Sequence, residues 1–374
     1  YRTAQKKLNK LPAVPSLEGG GVEKNFFLIA NFFVKKLDDV SVITISRKYK
    51  YKFNKKILFI STKYFFWDSF GRITKYIISL YLLFIEYLKN KNLTVFCFQG
   101  NILCIIFCKI FNIKIIIRPN SSPSGWSHNL FKKFIFSHTL KLADVIIVNS
   151  IKFKNELKQK LNINAECIYN PLNYEEIKKL SKKKINNHFF KEDSLKIINI
   201  GRLVDQKDQI TILKAVNYLK NRVNINLLIV GEGDKKDSLI KYINLNNLQK
   251  IVKIKSHTKN PYPFIKSSDV FILSSLFEGL PNVLLEAIAL NCFVISTDCP
   301  TGPSEILDGG KGGLLFKTSN YIDLSNKIIT FITNKKKYEK KLKFAHKRLH
   351  RFNYELNLNK YFNAVNILIE TKNS

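Results

Sequence analysis

The 374-residue chain contains no methionine, only two tryptophans and ten prolines, and its six cysteines form no C-x-x-C pair. Without such pairs neither a zinc module nor a disulfide framework is expected. Cys97, Cys167, Cys292 and Cys299 stand apart; Cys104 and Cys108 lie four residues apart in the apolar run 102–111, where buried free thiols are expected. That usage suits a reducing, cytosolic compartment. No apolar run reaches the roughly 18–20 uncharged residues of a membrane-crossing helix. The nearest, 76–88, is interrupted by Glu86. The first ten residues are polar and no signal-peptide core follows them. Because the chain opens at Tyr1, its natural start is expected upstream.

Acidic residues are scarce as well: 28 Asp and Glu stand against 62 Lys and Arg, a formal charge of +34. Residues 1–190 hold 33 basic and 11 acidic side chains, so most of the excess lies in the first half. Such a balance favours phosphorylated substrates, acidic lipid headgroups or nucleic acid as partners. A solvated lysine surface, in a chain rich in Lys, Asn, Ile and Phe throughout, accounts for part of it. What is present in quantity is apolar: 45% hydrophobic residues describe a globular protein. The length allows two medium α/β domains, each with its own core.

Short β-rich runs alternate with longer amphipathic ones, the pattern of parallel-sheet α/β domains. Strands are expected at 40–46, 94–98, 113–118, 144–149 and 167–169, with helices at 22–37 and 102–111. The lysine-rich stretch 178–187 reads as a linker. A second series follows, with strands at 195–200, 225–230, 251–254, 270–273, 293–296 and 314–316. Helices are expected at 209–219, 235–245 and 282–290, and the tail 324–370 is nearly all helical in pattern. An opening strand fits poorly at 10–17, because Pro12 and Pro15 cannot donate to a sheet ladder.

Two constellations carry chemistry. In Ser274-Ser275-Leu276-Phe277-Glu278-Gly279-Leu280-Pro281-Asn282-Val283-Leu284-Leu285-Glu286, a strand ends in a small polar turn. Gly279 permits tight geometry and Pro281 is tolerated at a helix start. From Asn282 the chain is helical, so backbone N–H groups and the helix dipole make an anion site in the crevice at the strand ends. Glu278 and Glu286, eight apart, suit sugar and ribose hydroxyls; alternatively they are ordinary acidic neighbours of a helix start. The second constellation, Gly201-Arg202-Leu203-Val204-Asp205-Gln206-Lys207, directly follows the strand 195–200. Gly201 allows a sharp turn, Arg202 can fork onto two phosphate oxygens and Lys207 adds a point charge. A departing nucleoside diphosphate needs such positive charge.

Together these elements resemble the retaining nucleotide-sugar glycosyltransferases of the GT-B fold, specifically family 4. The likeness runs through G-R-L-x-x-x-K at Gly201–Lys207, V-G-E-G-D at Val230–Asp234, S-x-x-E-G-L-P-N-V-L-L-E-A at Ser275–Ala287 and D-C-P-T-G-P-S-E-I-L at Asp298–Leu307. It implies two Rossmann-like, doubly wound α/β domains facing each other across a cleft. The N-terminal domain would span 1–185 and the nucleotide-sugar domain 186–345. Residues 346–374 would form a helix that crosses back. By that resemblance Arg202 and Lys207 neutralise the donor diphosphate, and Glu286 holds the ribose. Glu278, with the Gly279 and Leu280 amides, addresses the donor sugar and phosphate, while Gly201, Pro281 and Asn282 shape the site. No metal or other cofactor is expected, and the leaving phosphate helps deprotonate the acceptor.

In the first half, the loop 19–23 with Gly20 and Gly21 looks like the family's glycine-rich loop, or like an ordinary turn. Arg118 and Asn120 in the loop 118–126 are acceptor-side candidates, standing where many relatives carry a histidine. His128 and His138 are expected to be surface or packing residues. The variant Thr301-Gly302-Pro303-Ser304-Glu305 resembles enzymes acting on polyprenyl-diphosphate-linked glycans and on lipopolysaccharide or capsule precursors. The expected partners are a nucleotide sugar, UDP-linked or alternatively GDP-mannose, a glycan or lipid-linked acceptor, and an anionic membrane surface on the cytoplasmic side. Phe65-Phe66-Trp67 and the segment 73–88 are candidate membrane contacts, or else packed parts of the fold. A nucleotide-sugar epimerase or a phosphorylase of the same fold would need further cleft carboxylates and histidines, or a longer chain. A nucleic-acid-binding protein would use the charge, yet no helix-turn-helix or RNA-binding aromatic motif is present.

Overall fold

The computed structural model describes residues 21–37, 39–62, 67, 70–98, 101–120, 123, 130–184 and 189–370. The proline-containing segment 10–17, Gly19, Gly20, Phe65, Phe66 and His128 lie outside the described residues. The chain divides into two compact units, one of residues 1–171 with 355–374, the other of residues 172–354.

The first unit holds β1 (Ser41–Ile43), β2 (Leu58–Ile60), β3 (Thr94–Cys97), β4 (Lys114–Ile117), β5 (Val145–Val148) and β6 (Glu166–Cys167). β3 to β6 form a parallel sheet in sequence order, and β1 pairs with β2 in a second parallel ladder with Val42 opposite Phe59. Ile115, Ile116 and Ile117 are all fully buried, as β-branched runs covered on both faces should be. Helix Ile151–Leu161 starts where the Ser150 hydroxyl accepts from the Phe153 N–H, and it ends on Asn162 in the left-handed region, φ 50°. Phe33, Phe96 and Phe98 stack into an aromatic layer over the sheet.

Onto that layer packs helix Tyr354–Glu370, whose residues from Glu355 belong to this unit. Phe362 meets Phe33 at 6.3 Å between ring centroids. Beneath it lies Arg118, 1% exposed, at the end of β4. Its Nε donates to the Tyr361 hydroxyl at 2.9 Å, one terminal nitrogen to Asn120 Oδ1 at 2.9 Å and the other to Asn170 Oδ1 at 2.6 Å. Burial pushes the Tyr361 phenol above its ordinary pKa, against the pull of Arg118. It therefore stays protonated, accepts from Arg118 and donates to the Ile168 carbonyl at 3.2 Å.

The second unit carries β7 (Leu195–Ile200), β8 (Ile225–Val230), β9 (Val252–Lys255), β10 (Val270–Leu273), β11 (Phe293–Thr297) and β12 (Leu314–Phe316). They form one parallel sheet in the order β12-β11-β10-β7-β8-β9. From β7 the chain winds one way to β8 and β9; from β10 it winds the other way to β11 and β12. The sheet thus reverses between β7 and β10, a doubly wound arrangement with its switch point at that pair. A core that includes Ile197, Leu213, Val216, Leu227, Ile272 and Ile295 fills one face of the sheet.

The units divide at Pro171, ahead of the crossover expected near 185, because helix Tyr174–Leu180 packs on helices Asn282–Ala289 and Tyr262–Lys266 of the second unit. That helix occupies the start of the lysine-rich stretch read as a linker. The return to the first unit comes at Glu355 rather than 346, since helix Lys335–Arg348 stays on the second sheet, with Tyr338 packed edge-on against Phe293. Strand β2 matches none of the expected strands, and the strand expected at 40–46 is cut to Ser41–Ile43.

Tyr361→Phe would leave the Arg118 Nε–H without its buried acceptor. It is expected to lower unfolding stability by about 1–3 kcal/mol. Chemical denaturation followed by circular dichroism checks this, with Tyr81→Phe, on an exposed helix face, as the variant that changes nothing.

Candidate functional site

Both constellations singled out in the sequence lie at the carboxyl ends of β7 and β10, the adjacent strands where the sheet reverses. After Ile200 the chain turns at Gly201, whose N–H donates to the Val230 carbonyl at 3.1 Å. Leu203, fully buried, pins the loop: its N–H donates to the Glu232 carbonyl at 2.8 Å and its own carbonyl accepts from the Lys235 N–H at 2.9 Å. Gly231 must be glycine here, because a Cβ would overlap the Gly201 carbonyl oxygen. Arg202 is held by its backbone, which accepts from Gln209 Nε2 at 2.9 Å, while its side chain is exposed. Among the described residues nothing pairs with the Arg202 guanidinium. A short 3-10 turn, Asp205–Lys207, closes the loop. Lys235 reaches back to Asp205 at 2.8 Å, and that hydrogen bond raises the lysine pKa above its ordinary value.

Three hydrogen bonds stitch this loop to the one after β10. Ser274 Oγ donates to the Lys207 carbonyl at 2.7 Å, the Leu276 N–H to the Gln206 carbonyl at 2.8 Å, and Gln206 Nε2 to the Phe277 carbonyl at 2.9 Å. Between them Lys207 Nζ lies 2.5 Å from Glu278 Oε1, and Ser275 Oγ donates to the same oxygen at 2.6 Å. The Lys207 and Glu278 side chains are only 18% and 9% exposed, so this is a pair shielded from water. From its place in the sequence Lys207 is expected to be a point charge for the diphosphate. The structure gives it a carboxylate partner, which leaves Arg202 as the uncompensated cation of the two.

The loop after β11 braces the far side. Thr297 Oγ1 donates to the Ser275 carbonyl at 2.8 Å, and the Thr301 hydroxyl donates to the Glu278 carbonyl. Gly302 has φ +85°, and a Cβ there would overlap the Gly279 carbonyl oxygen, so glycine is required both by backbone conformation and by space. Cys299 is 1% exposed behind this loop; burial first, then the Glu278 charge, push its thiol up to about 12. It is an uncharged packing group at neutral pH. Pro281 precedes helix Asn282–Ala289 in extended conformation, and no side chain caps that start. Its first-turn amides and dipole face the same strand ends. Glu286, 6% exposed, sits one turn inside, and Leu280 is buried below the loop.

The second unit therefore brings together Gly201, Arg202, Lys207, Glu278, Gly279, Leu280, Pro281, Asn282 and Glu286. Arg118 and Asn120 belong to the first unit. Arg118 is a buried strut whose three nitrogens all donate internally, and Asn120 Nδ2 donates to the Phe98 carbonyl at 2.8 Å. A buried guanidinium that already holds its own fold together is not an open acceptor contact. Gly20 lies outside the described residues, and Gly21 opens helix Gly21–Phe33. His138 is exposed with its ring 4.0 Å from that of Phe134, a packing residue as expected. Three residues whose roles the sequence reading left unassigned, Gln206, Ser275 and Thr301, fix Glu278 in place. The small hydroxyl residues beside the acidic position were the available signal. Among the described residues no cluster of His, Cys, Asp and Glu could hold a metal ion.

Lys207→Met would strand Glu278 as an unpaired, nearly buried carboxylate. The expected loss is about 3 kcal/mol, largely recovered in Lys207→Met/Glu278→Leu. A double-mutant cycle by denaturant unfolding checks the coupling.

Residues 181–348 match the family model described as glycosyl transferases group 1. An uncharacterized glycosyltransferase of Methanocaldococcus jannaschii, MJ1059, is 36% identical over 218 residues, 54% of this chain and 53% of that protein. The N-acetylgalactosamine-N,N'-diacetylbacillosaminyl-diphospho-undecaprenol 4-alpha-N-acetylgalactosaminyltransferase of Campylobacter jejuni is 29% identical over 241 residues, 62% of this chain and 64% of that one. The chain thus spans between half and two thirds of the length of these curated relatives. The crystal structure of Anabaena Alr3699/HepE in complex with UDP superposes with a TM-score of 0.77 at 16% identity, covering 96% of this chain and 100% of that one. By sequence the second unit matches the glycosyl transferases group 1, and by fold nearly the whole chain is similar to glycosyltransferases of the GT-B type.

Proposed function

We propose that the chain is a retaining, metal-independent glycosyltransferase that moves a hexose or N-acetylhexosamine from a nucleoside-diphosphate sugar, with UDP favoured, to a glycan or polyprenyl-diphosphate-linked acceptor in cell-surface polysaccharide synthesis. The observation that carries it is the exposed Arg202 guanidinium and the start of helix Asn282–Ala289 brought to one switch point, beside two shielded carboxylates. The cation and helix start fit a diphosphate; Glu286 fits the ribose hydroxyls, and Glu278 the donor sugar. The UDP complex of a protein with the same fold and the diphospho-undecaprenol acceptor in a relative's name support the donor and acceptor classes.

In the proposed reaction the bond between the anomeric carbon and the diphosphate oxygen breaks, and both electrons leave with the diphosphate. Arg202 and the helix start stabilise the charge that gathers there. Lys207 contributes through Glu278, orienting that carboxylate as an acceptor for sugar hydroxyls. The acceptor hydroxyl forms the new bond on the face the diphosphate leaves, and its proton passes to a diphosphate oxygen.

Millimolar UDP is expected to raise the melting temperature. A ligand at a hundred times its Kd stabilises by about 2.7 kcal/mol, and Arg202→Ala and Glu286→Ala should each remove most of that gain. Differential scanning fluorimetry with UDP and GDP, followed by a donor-hydrolysis screen over UDP- and GDP-sugars, checks it. Absence of protection by either nucleotide sinks the reading.

A further inference from the structure

Helix Arg72–Lys89 is apolar on two sides. One side is buried, through Leu83 and the partly buried Leu80 and Tyr87. The other carries Ile73, Ile77, Tyr81 and Leu88, exposed by 71, 59, 62 and 56%. At helical spacing these four fall on one stripe. Phe84, on the line of the same stripe, packs against Phe107 and Phe111 at 6.5 and 5.2 Å between centroids. Those rings lead onto helix Asn101–Ile110, which exposes its own stripe of Leu103, Ile106 and Ile110, the last by 71%. Two neighbouring helices of the first unit thus show water a shared apolar face. Isolated exposed apolar residues need no explanation, but a contiguous set does.

The charge around this face is predominantly positive; Asp144 answers Lys109 at 2.9 Å and Lys114 at 3.6 Å, and Arg118 is buried. Residues 70–142 contain ten Lys and Arg and a single carboxylate, Glu86. Glu86 is 4% exposed and paired with Lys89 at 2.7 Å, so it puts no negative charge on the surface. Lys75, in the first turn of the helix, and Lys91, just past its end, have no acidic partner among the described residues. A second copy of the chain would bring the same positive surface against itself. A membrane-crossing role is closed to these helices, since no described helix is long and apolar enough to span a bilayer. An apolar face with a basic rim matches a bilayer surface in which acyl chains take the apolar residues and anionic headgroups take the lysines.

We propose that the exposed faces of helices Arg72–Lys89 and Asn101–Ile110 dock the first unit onto an anionic lipid bilayer, lying in the interface without crossing it. The inference stands on this unit alone, independent of the donor chemistry of the second. Flotation of the full chain with vesicles, without nucleotide, tests it. The chain should partition about tenfold more strongly onto phosphatidylcholine mixed with phosphatidylglycerol than onto phosphatidylcholine alone, and less as salt rises. Ile77→Glu/Ile110→Glu should weaken the anionic binding by about tenfold or more, while Leu245→Glu, equally exposed on the second unit, changes nothing. Should the double variant fold poorly, Lys75→Glu/Lys91→Glu must abolish the preference for anionic vesicles. No flotation with either vesicle, or equal flotation of wild type and variants, overturns the proposal. So does self-association in solution that the isoleucine variant removes, which would assign the face to a second copy. UDP protection measured on the same variants separates a failure here from a failure of the glycosyltransferase reading.

Discussion

Lys207 and Glu278 meet at 2.5 Å across the one place in the second unit where two adjacent parallel strands send their chains in opposite directions. At that point the loops after β7 and β10 diverge, and a backbone bond from the Leu276 N–H to the Gln206 carbonyl joins them. The ion pair, reinforced by Ser275 and by the Gln206 and Ser274 bonds to backbone carbonyls, locks that connection. Everything else at the site is arranged around it. Arg202 stays uncompensated because Lys207, not Arg202, answers the carboxylate. Glu278 stays fixed because Thr301, carried on the loop whose Gly302 packs against Gly279, holds its carbonyl. A buried ion pair is weak as a source of stability but effective as a source of geometry, and geometry is what an anion site needs.

That distribution of charge also explains why so basic a chain can have a selective site. Most of its 62 Lys and Arg are long, solvated side chains that would attract any anion equally. Arg202 differs because its backbone is pinned on both sides, by Leu203 against Glu232 and Lys235 and by Gln209 on its own carbonyl. A fork-shaped donor on a fixed stem can discriminate a diphosphate by direction as well as by charge.

The second unit was largely legible in the sequence. Its strands are runs such as Ile225–Val230, and its turns fall at Gly201, Gly231 and Gly279, where local chemistry dictates local structure. Contacts between distant residues were not legible. Lys207 and Glu278 are 71 residues apart, and nothing in either loop announces that they pair. Arg118 was harder still: arginine is seldom fully buried, and the Tyr361 that receives it lies 243 residues away. Read locally, an arginine after a strand looks like a ligand contact; in the fold it anchors the returning C-terminal helix. The short β2, only Leu58–Ile60 in a lysine-rich stretch, carries too little pattern to be seen without its partner β1.

The central claim is that the switch point of the second unit binds a diphosphate through Arg202. Isothermal titration of UDP and UMP against the wild type and Arg202→Ala tests it most directly. One charge-assisted contact to the added phosphate is worth roughly 1.5–3 kcal/mol. UDP should therefore bind at least about tenfold more tightly than UMP, and the ratio should collapse in the variant. Equal affinity for the two nucleotides, or a UDP-to-UMP ratio unchanged by Arg202→Ala, would contradict the account.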